Sequence, residues 1–336
     1  EFRRVLFRSG DLFPSRVTKD FRFPALGSYV TNDFHLKTTY LEQWNLSVQH
    51  QFGRDWLASV SYLGNNTIHL WTNTDLNPAV YLGTGACNIN GTAFSTCSTT
   101  ANYQQRRVLS LLNPAQGAFF AGLPTLDDGG TGNYSGLLTS LNRRLAKGVT
   151  VNANYTWSHC ISDLATTEFR NGLYQSPSNR RYDRSNCAGT DRRHIFNLSA
   201  VAATPKFSNA LLHRVASAWR VSTIFRKQSG SFLTISSGVD TALTNLGNTR
   251  ADLVSGSPLA SDPTINQYFN PAAFATPGTG KLGNLGSNNI EGRGTFNVDM
   301  SLARLFPITE RQKIEFRAEA FQILNHPILE IGRAHV

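Results

Sequence analysis

The sequence contains no long apolar run, and this absence argues against a helical membrane protein. No segment approaches the 18 or so consecutive apolar residues of a transmembrane helix. Signatures of catalysis and metal binding are missing too: the 4 cysteines form no Cys-x-x-Cys pair and no histidine spacing matches a zinc site. No Ser–His–Asp or Cys–His grouping has a local signature either. We therefore predict no enzyme activity, no metal site and no cofactor.

The sequence has fewer acidic than basic residues, and such an imbalance can point to a polyanionic partner such as nucleic acid. The 32 Lys and Arg outnumber the 22 Asp and Glu and give a formal net charge of +10. An excess of basic residues can indicate nucleic-acid binding. Here the arginines are scattered in small pairs such as Arg106-Arg107, and neither a basic helix nor an aromatic RNA-binding motif accompanies them. We expect no nucleic-acid partner, and predict that the charges line a watery lumen or meet anionic lipid head groups and substrates.

What the sequence does contain is a regular alternation of apolar and polar residues. Between 42 and 52 the even positions are mostly apolar, as Trp44 and Leu46 illustrate, whereas every odd position is polar. A turn at 53–55 follows, and the alternation resumes over 56–62. This period predicts β-strands with one face in an apolar medium and the other in water. The runs exceed the usual five or six residues and reach the roughly 9–11 needed to cross a bilayer.

Three further pairs of alternating runs follow along the chain. They cover 137–145 with 149–158, 196–202 with 219–225, and 296–302 with 314–320. Four charged side chains stand opposite the apolar face of the last run: Lys313, Glu315, Arg317 and Glu319. A water-filled lumen accommodates such a row, whereas a packed core would have to pair each charge.

The connections between the runs alternate in length. Short links fall at 53–55, 146–148 and 307–311 with a moderate one at 204–217, and long links fall at 64–132, 159–190 and 228–294. Short turns on one side and long loops on the other are typical of outer-membrane barrels. We predict an all-β fold, a transmembrane antiparallel β-barrel of the bacterial outer membrane. We expect an incomplete, open, curved sheet of about eight or more strands with loosely placed long loops.

This topology predicts two sets of functional positions. Aromatic girdles are expected at both membrane interfaces. The girdle candidates are Phe52, Trp56, Trp219 and Phe306 near the short turns, and Trp44, Tyr62, Tyr155, Trp157 and Phe296 near the long loops. The candidates for lining the lumen are Arg143, Asn152, Asn154, Asn297, Asp299, Lys313, Glu315, Arg317 and Glu319. For any one of these, a structural cross-strand contact is a simpler role than ligand binding.

The cysteines all fall in predicted outward loops. Cys87 and Cys97 lie in one loop, and Cys160 and Cys187 bracket the next. Four cysteines allow three disulfide connectivities. The pairing of 87 with 97 and of 160 with 187 closes each loop locally, and an oxidising periplasmic or surface setting would permit it.

The two ends of the chain resemble translated sequencing adapters. We expect residues 1–9 and 330–336 to be such artefacts, because both match the peptides that adapter DNA encodes. Segments of this kind are excluded from fold reasoning. We therefore interpret 10–329 as the genuine part, and expect it to be a fragment of a longer barrel protein.

Several segments resemble TonB-dependent receptors of the Oar-like group, which are numerous in acidobacteria. The segments that carry the resemblance are 41–49, 149–158, 191–199, 219–230, 268–274 and 315–327. The resemblance implies the C-terminal part of a barrel of about 22 strands, the size class of plugged transporters. It further implies energised import of a small ligand through outer loops and a plug. The implied partners are the outer-membrane lipid, the TonB complex acting through a plug that this fragment lacks, and an unknown ligand.

Other classes of protein remain open at this point. A passive porin or a surface-structural or adhesion barrel would lack TonB coupling. A soluble all-β binding protein would need a mixed core between two sheets, which the polar positions of 43–51 and 313–319 oppose. The resemblance leaves the direction of transport open, since Oar-like proteins are also associated with adhesion and export.

Overall fold

Eight long strands in the computed structural model form one antiparallel sheet. The structure describes residues 26–163, 174–264, 267–309 and 311–326. The long strands are β1 (Tyr40–Phe52), β2 (Trp56–Asp75), β3 (Pro124–Ala146), β4 (Val149–Ser162), β5 (His194–Ala203), β6 (Trp219–Gln228), β7 (Thr295–Pro307) and β8 (Lys313–Ala320). Each strand pairs with its neighbours in the chain, so the sheet is an up-and-down meander with β1 and β8 at its edges. Over these residues the sheet is not closed, which confirms the predicted all-β, open arrangement.

The short turns have the backbone geometry that tight hairpins need. Lys147 and Gly148 link β3 to β4 with φ of 49° and 78°. Positive φ at both central residues is the requirement of a type I′ turn, whose twist matches that of the flanking strands. A Cβ atom on Gly148 would also lie 2.7 Å from the carbonyl oxygen of Ala203. Glycine is therefore required here both for its backbone conformation and for its lack of a side chain.

β2 and β3 extend well beyond the predicted strands. The link expected at 64–132 is shorter, because β2 continues to Asp75 and β3 begins at Pro124. The pairing of the extension is irregular, with register shifts around Leu70 and a positive φ of 57° at His69. The alternation does not mark this extension, because polar and apolar residues do not alternate there. Ile68 and Leu70 share one side of the strand with Thr72, which is buried by the surrounding connections.

The shorter elements lie in the connections, except for the strand Thr31–Asn32, which precedes β1. The short strands are Thr31–Asn32, Cys87–Ile89, Thr92–Phe94, Ser185–Asn186, Phe232–Leu233, Asp252–Leu253, Phe274–Ala275 and Ile290–Glu291. The helices are α1 (Val108–Leu112), α2 (Pro114–Gly117) and α3 (Ala210–Ala216), with 3₁₀ turns at Thr100–Asn102, Gln104–Arg106, Arg180–Tyr182 and Pro271–Ala273. In the described part of the chain, no helix is both long and apolar enough to cross a membrane.

The long connections are packed, which corrects the expectation of loosely placed loops. The connection between β6 and β7 has its own hydrophobic core. The buried members of this core are Ile235, Ala251, Ala273, Phe274, Leu285 and Ile290. Leu253, Leu259 and Phe269 pack against it. Burial of this apolar surface holds the connection together independently of the sheet.

Candidate functional site

The strand register places apolar and polar residues on opposite faces of the sheet. One row of directly paired residues crosses six strands, from β2 to β7, and is apolar throughout: Ala58, Leu141, Ala153, Leu198, Phe225 and Val298. The adjacent row crosses seven strands and is polar throughout: Gln49, Ser59, Ser140, Asn154, Asn197, Arg226 and Asn297. Because neighbouring residues of a strand point to opposite faces, the first row marks an apolar face and the second a polar face.

The apolar face presents large side chains that nothing in the described structure covers. Leu46 is 69% exposed and Phe316 is 60% exposed. Soluble proteins rarely leave a contiguous apolar surface of this extent in contact with water. The face therefore requires an apolar medium, and a lipid bilayer supplies one along the whole sheet.

The polar face is held together by side-chain hydrogen bonds across the strands. The Oγ atoms of Ser59 and Ser140 are 2.7 Å apart, and the amide nitrogen of Asn152 donates to Asn142 at 2.5 Å. At the β8 edge, Glu315 binds Arg220 at 3.1 Å and Arg317 at 2.5 Å. Such exposed pairs contribute little stability in water, but they neutralise charge along a wetted wall.

The predicted lumen residues share this polar face, with one exception. The positions on it are Asn152, Asn154, Asn297, Asp299, Lys313, Glu315, Arg317 and Glu319. Arg143 lies directly opposite Trp56 and Val151, which places it on the apolar face. Its guanidinium carbon lies 5.4 Å from the Trp56 ring centroid. Its assignment to the lumen is therefore corrected: at a strand end, the long side chain can stack on an interfacial aromatic ring.

The girdle candidates all belong to the apolar face. Phe52 pairs with Trp56 beside the short turn, while Trp44 lies opposite Gly64 at the other end of the hairpin. Trp44 and Phe52 are eight residues apart, or about 26 Å along the strand. At the strand tilt of about 35–45° found in outer-membrane barrels, this length spans roughly 18–21 Å of the membrane normal, which is most of the apolar band of about 25 Å. The remaining candidates occupy the same face: Tyr62, Tyr155, Trp157, Trp219, Phe296 and Phe306.

Two disulfides lie on the long-loop side of the sheet. Cys87 is bonded to Cys97 and Cys160 to Cys187, each with a Cα–Cα distance of 5.3 Å. This is the locally closing connectivity among the three that the sequence allows. The first bond closes the hairpin of the β2–β3 connection, and the second ties the β4–β5 connection to the outer end of β4. In the chain-entropy model each contributes about 3 kcal/mol by restricting the unfolded chain.

The three long connections are joined to each other and form what we call the outer cap, consisting of the described residues of 76–123, 174–193 and 229–294. Between the last two, Arg250 binds Asp183 at 2.6 Å, with side chains only 3% and 2% exposed. The same guanidinium lies 4.0 Å from the Tyr182 ring centroid and donates to the carbonyl of Leu285. A buried pair of this kind is stable only when its remaining hydrogen bonds are satisfied, as they are here.

A second set of contacts joins 76–123 to 229–294. Arg106 is fully buried and donates to the carbonyls of Val80 and Leu243 at 2.5 and 3.0 Å. Its burial lowers the pKa of the guanidinium. The Tyr103 hydroxyl donates to Asp240 at 2.9 Å. Burial and this hydrogen bond together raise the pKa of Tyr103 to about 12.

The sequence alone did not identify these cap residues. Arg250 carries no local signature of burial, because its acceptors come from segments far away in the chain. Arg106 has acceptors nearby at Thr99 and Asn102, but its bond to the Leu243 carbonyl spans 137 residues. Helix α3 was also missed, although a signal exists: Asn209 precedes an apolar run with helical spacing and accepts hydrogen bonds from the amides of Leu211 and Leu212. Such an N-cap is a recognisable start signal for a helix.

A long antiparallel meander with one apolar face, one polar face and alternating short and long connections defines a transmembrane β-barrel of the bacterial outer membrane. The sequence model of one family, the outer membrane beta barrel domain, matches residues 6–334. Since this match covers nearly the whole chain, the protein belongs to that family. No curated protein matches the sequence.

Proposed function

We propose that this chain forms the barrel portion of a TonB-dependent transporter that imports a scarce ligand such as a siderophore, a glycan or a peptide. The proposal goes beyond the family, which defines a barrel in the outer membrane. It rests on the resemblance of segments such as 41–49 and 315–327 to Oar-like receptors and on the organisation of the long connections.

The observation that carries the proposal is the folded outer cap. Three connections from different hairpins are fastened to one another by the buried Arg250–Asp183 pair and the Arg106 contacts. Two disulfides restrain the first two of these connections locally. A receptor for a dilute ligand benefits from such fixed loops, because preorganisation reduces the entropy lost on binding. A passive pore has no comparable need for a rigid outer surface.

The polar face supports the same role. Its serine, asparagine and charged side chains form a continuous wetted wall beneath the cap, as the row from Gln49 to Asn297 illustrates. In a plugged barrel this wall would contact the plug, and TonB would act on the plug from the periplasm. The cap would then hold the ligand until the plug moves.

Two measurements test the proposal. The first is to recover the intact gene from the source DNA, in which we expect a plug-encoding region with a TonB-contacting segment before the barrel. The second is the conductance of the full protein in planar bilayers bathed in potassium chloride. A plugged transporter should conduct little until urea loosens the plug.

The alternatives predict different results. If the intact reading frame encodes no plug and the protein shows a steady open-channel conductance in the absence of urea, the protein is a passive porin. A frame without a plug and without conductance would favour a surface-structural or adhesion barrel. Either result contradicts TonB-dependent import.

A further inference from the structure

The β5–β6 connection carries a small helix whose apolar side chains point outwards. This connection, 204–218, is longer than the other three links on the short-turn side of the sheet. Within α3, Leu211 is 71% exposed, Leu212 48% and Val215 58%. Leu212 and Val215 follow Leu211 by one and four positions, so the three side chains lie on one side of the helix. Nothing in the described structure covers this stripe.

The end of α3 is held by side chains of the apolar face. The indole nitrogen of Trp219 donates to the Val215 carbonyl at 2.7 Å, and Arg304 donates to the Arg214 carbonyl. Trp219 and Arg304 face each other in the β6–β7 register, in line with the apolar pair Val221 and Leu302. These bonds satisfy carbonyls that a helix end leaves free. They also place the end of α3 on the lipid side of the sheet rather than on the polar side.

The surroundings of the helix have the chemistry of a membrane interface. The Arg304 guanidinium carbon lies 5.1 Å from the Trp219 ring centroid and 4.8 Å from that of Phe306. The connection itself contains the exposed basic residues Lys206 and Arg214 but no acidic residue. Aromatic rings and cations at this level suit the boundary between acyl chains and phosphates.

We propose that α3 is a phospholipid-binding interfacial anchor in the leaflet on the short-turn side. Acyl chains cover Leu211, Leu212 and Val215, while Lys206 and Arg214 contact the lipid phosphates. This is the arrangement of amphipathic helices that lie in the plane of an interface. The stripe continues the apolar face of the sheet, whose exposed side chains already require lipid, so the same bilayer covers both. The anchor is independent of TonB coupling.

The test measures the depth of α3 in the full protein, reconstituted into vesicles of equal parts phosphatidylethanolamine and phosphatidylglycerol. An NBD fluorophore is attached to Leu212→Cys, and its emission is compared with that of Val60→Cys on the apolar face and Ser208→Cys in the same connection. Acyl-chain-brominated lipids should quench the labels at 212 and 60, and aqueous iodide should quench the label at 208. Iodide quenching at 212 equal to that at 208 would overturn the proposal. A label at 212 reached by neither quencher would also overturn it, by showing that protein covers the helix.

A second variant excludes an effect of the fluorophore, which is itself apolar. In Leu211→Ser/Val215→Ser the label at 212 remains but the rest of the stripe is removed. We expect bromolipid quenching at 212 to fall at least twofold, while quenching at 60 stays constant and shows that the barrel is intact. Unchanged quenching at 212 would mean that the label, and not α3, enters the membrane.

Discussion

At the scale of single residues, buried arginines and a tyrosine hold the outer cap together. Arg250 lies between the connections 174–193 and 229–294, and replacing it with Met would leave the Asp183 carboxylate buried without its partner. Removing one member of a buried pair costs roughly 3–5 kcal/mol. Protease cleavage within 229–294 of the membrane-embedded protein should accelerate roughly 100- to 4,000-fold, since 1.4 kcal/mol corresponds to a factor of ten. The exposed neighbour Arg181→Met provides the control, and equal cleavage rates in the two variants would contradict a cap fastened by this pair.

Tyr103 gives the cap a defined response to alkaline pH. Its pKa is raised from 10.0 to about 12 in the folded protein. The neutral hydroxyl therefore contributes its full stability below pH 10, and this contribution is lost as the pH rises through 12. We expect the thermal unfolding temperature of the cap to fall across this window in the natural protein and less steeply in Tyr103→Phe. Identical pH profiles would show that the bond to Asp240 does not control cap stability.

At the scale of elements, the hairpin turns differ in how strictly they require glycine. Gly53 and Gly148 both have positive φ, at 60° and 78°. A Cβ atom on Gly53 would meet open space, whereas on Gly148 it would press on the Ala203 backbone. An alanine at a left-handed position costs roughly 1–2 kcal/mol from backbone strain alone. In urea unfolding of the full protein in detergent micelles, Gly148→Ala should lose more stability than Gly53→Ala. Equal losses would exclude the steric contribution of Ala203.

The strands can be predicted from the sequence where they cross the bilayer, because there apolar and polar side chains must alternate. In β1, β4 and β7 one face meets lipid and the other meets water, so the alternation itself marks the strand. The outer extension of β2 and β3 packs against other parts of the protein, as the buried residues Thr72 and Asp75 show, and carries no such mark. Arg143 is two positions from Leu141 in the strand, so its side chain belongs to the same, apolar face. The alternation on its own assigns Arg143 correctly. Its charge was misleading, because an arginine at a strand end can lie against Trp56 without crossing the apolar band.

At the scale of the whole molecule, the sheet and the cap bury their apolar side chains in different ways. The sheet has almost no buried core of its own, since its apolar face is exposed to lipid, whereas the cap has a conventional core around Ile235 and Leu285. The cap could not be derived from sequence, because its contacts join distant segments. Asp183 and Arg250 are 67 residues apart, and Tyr103 and Asp240 are 137 apart. No local pattern distinguishes these residues from ordinary surface charges.

The two faces of the sheet meet different media, and labels at neighbouring residues of β5 test this directly. Spin labels would be placed at Leu198→Cys, in the apolar row, and at Asn197→Cys, in the polar row, of the full protein in lipid vesicles. Collisions with dissolved oxygen report contact with lipid, and collisions with a water-soluble nickel chelate report contact with water. We predict high oxygen and low nickel accessibility at 198, and the reverse at 197. Equal accessibility at both positions, or a label at 198 that is shielded from both reagents as in a packed protein core, would contradict the membrane barrel.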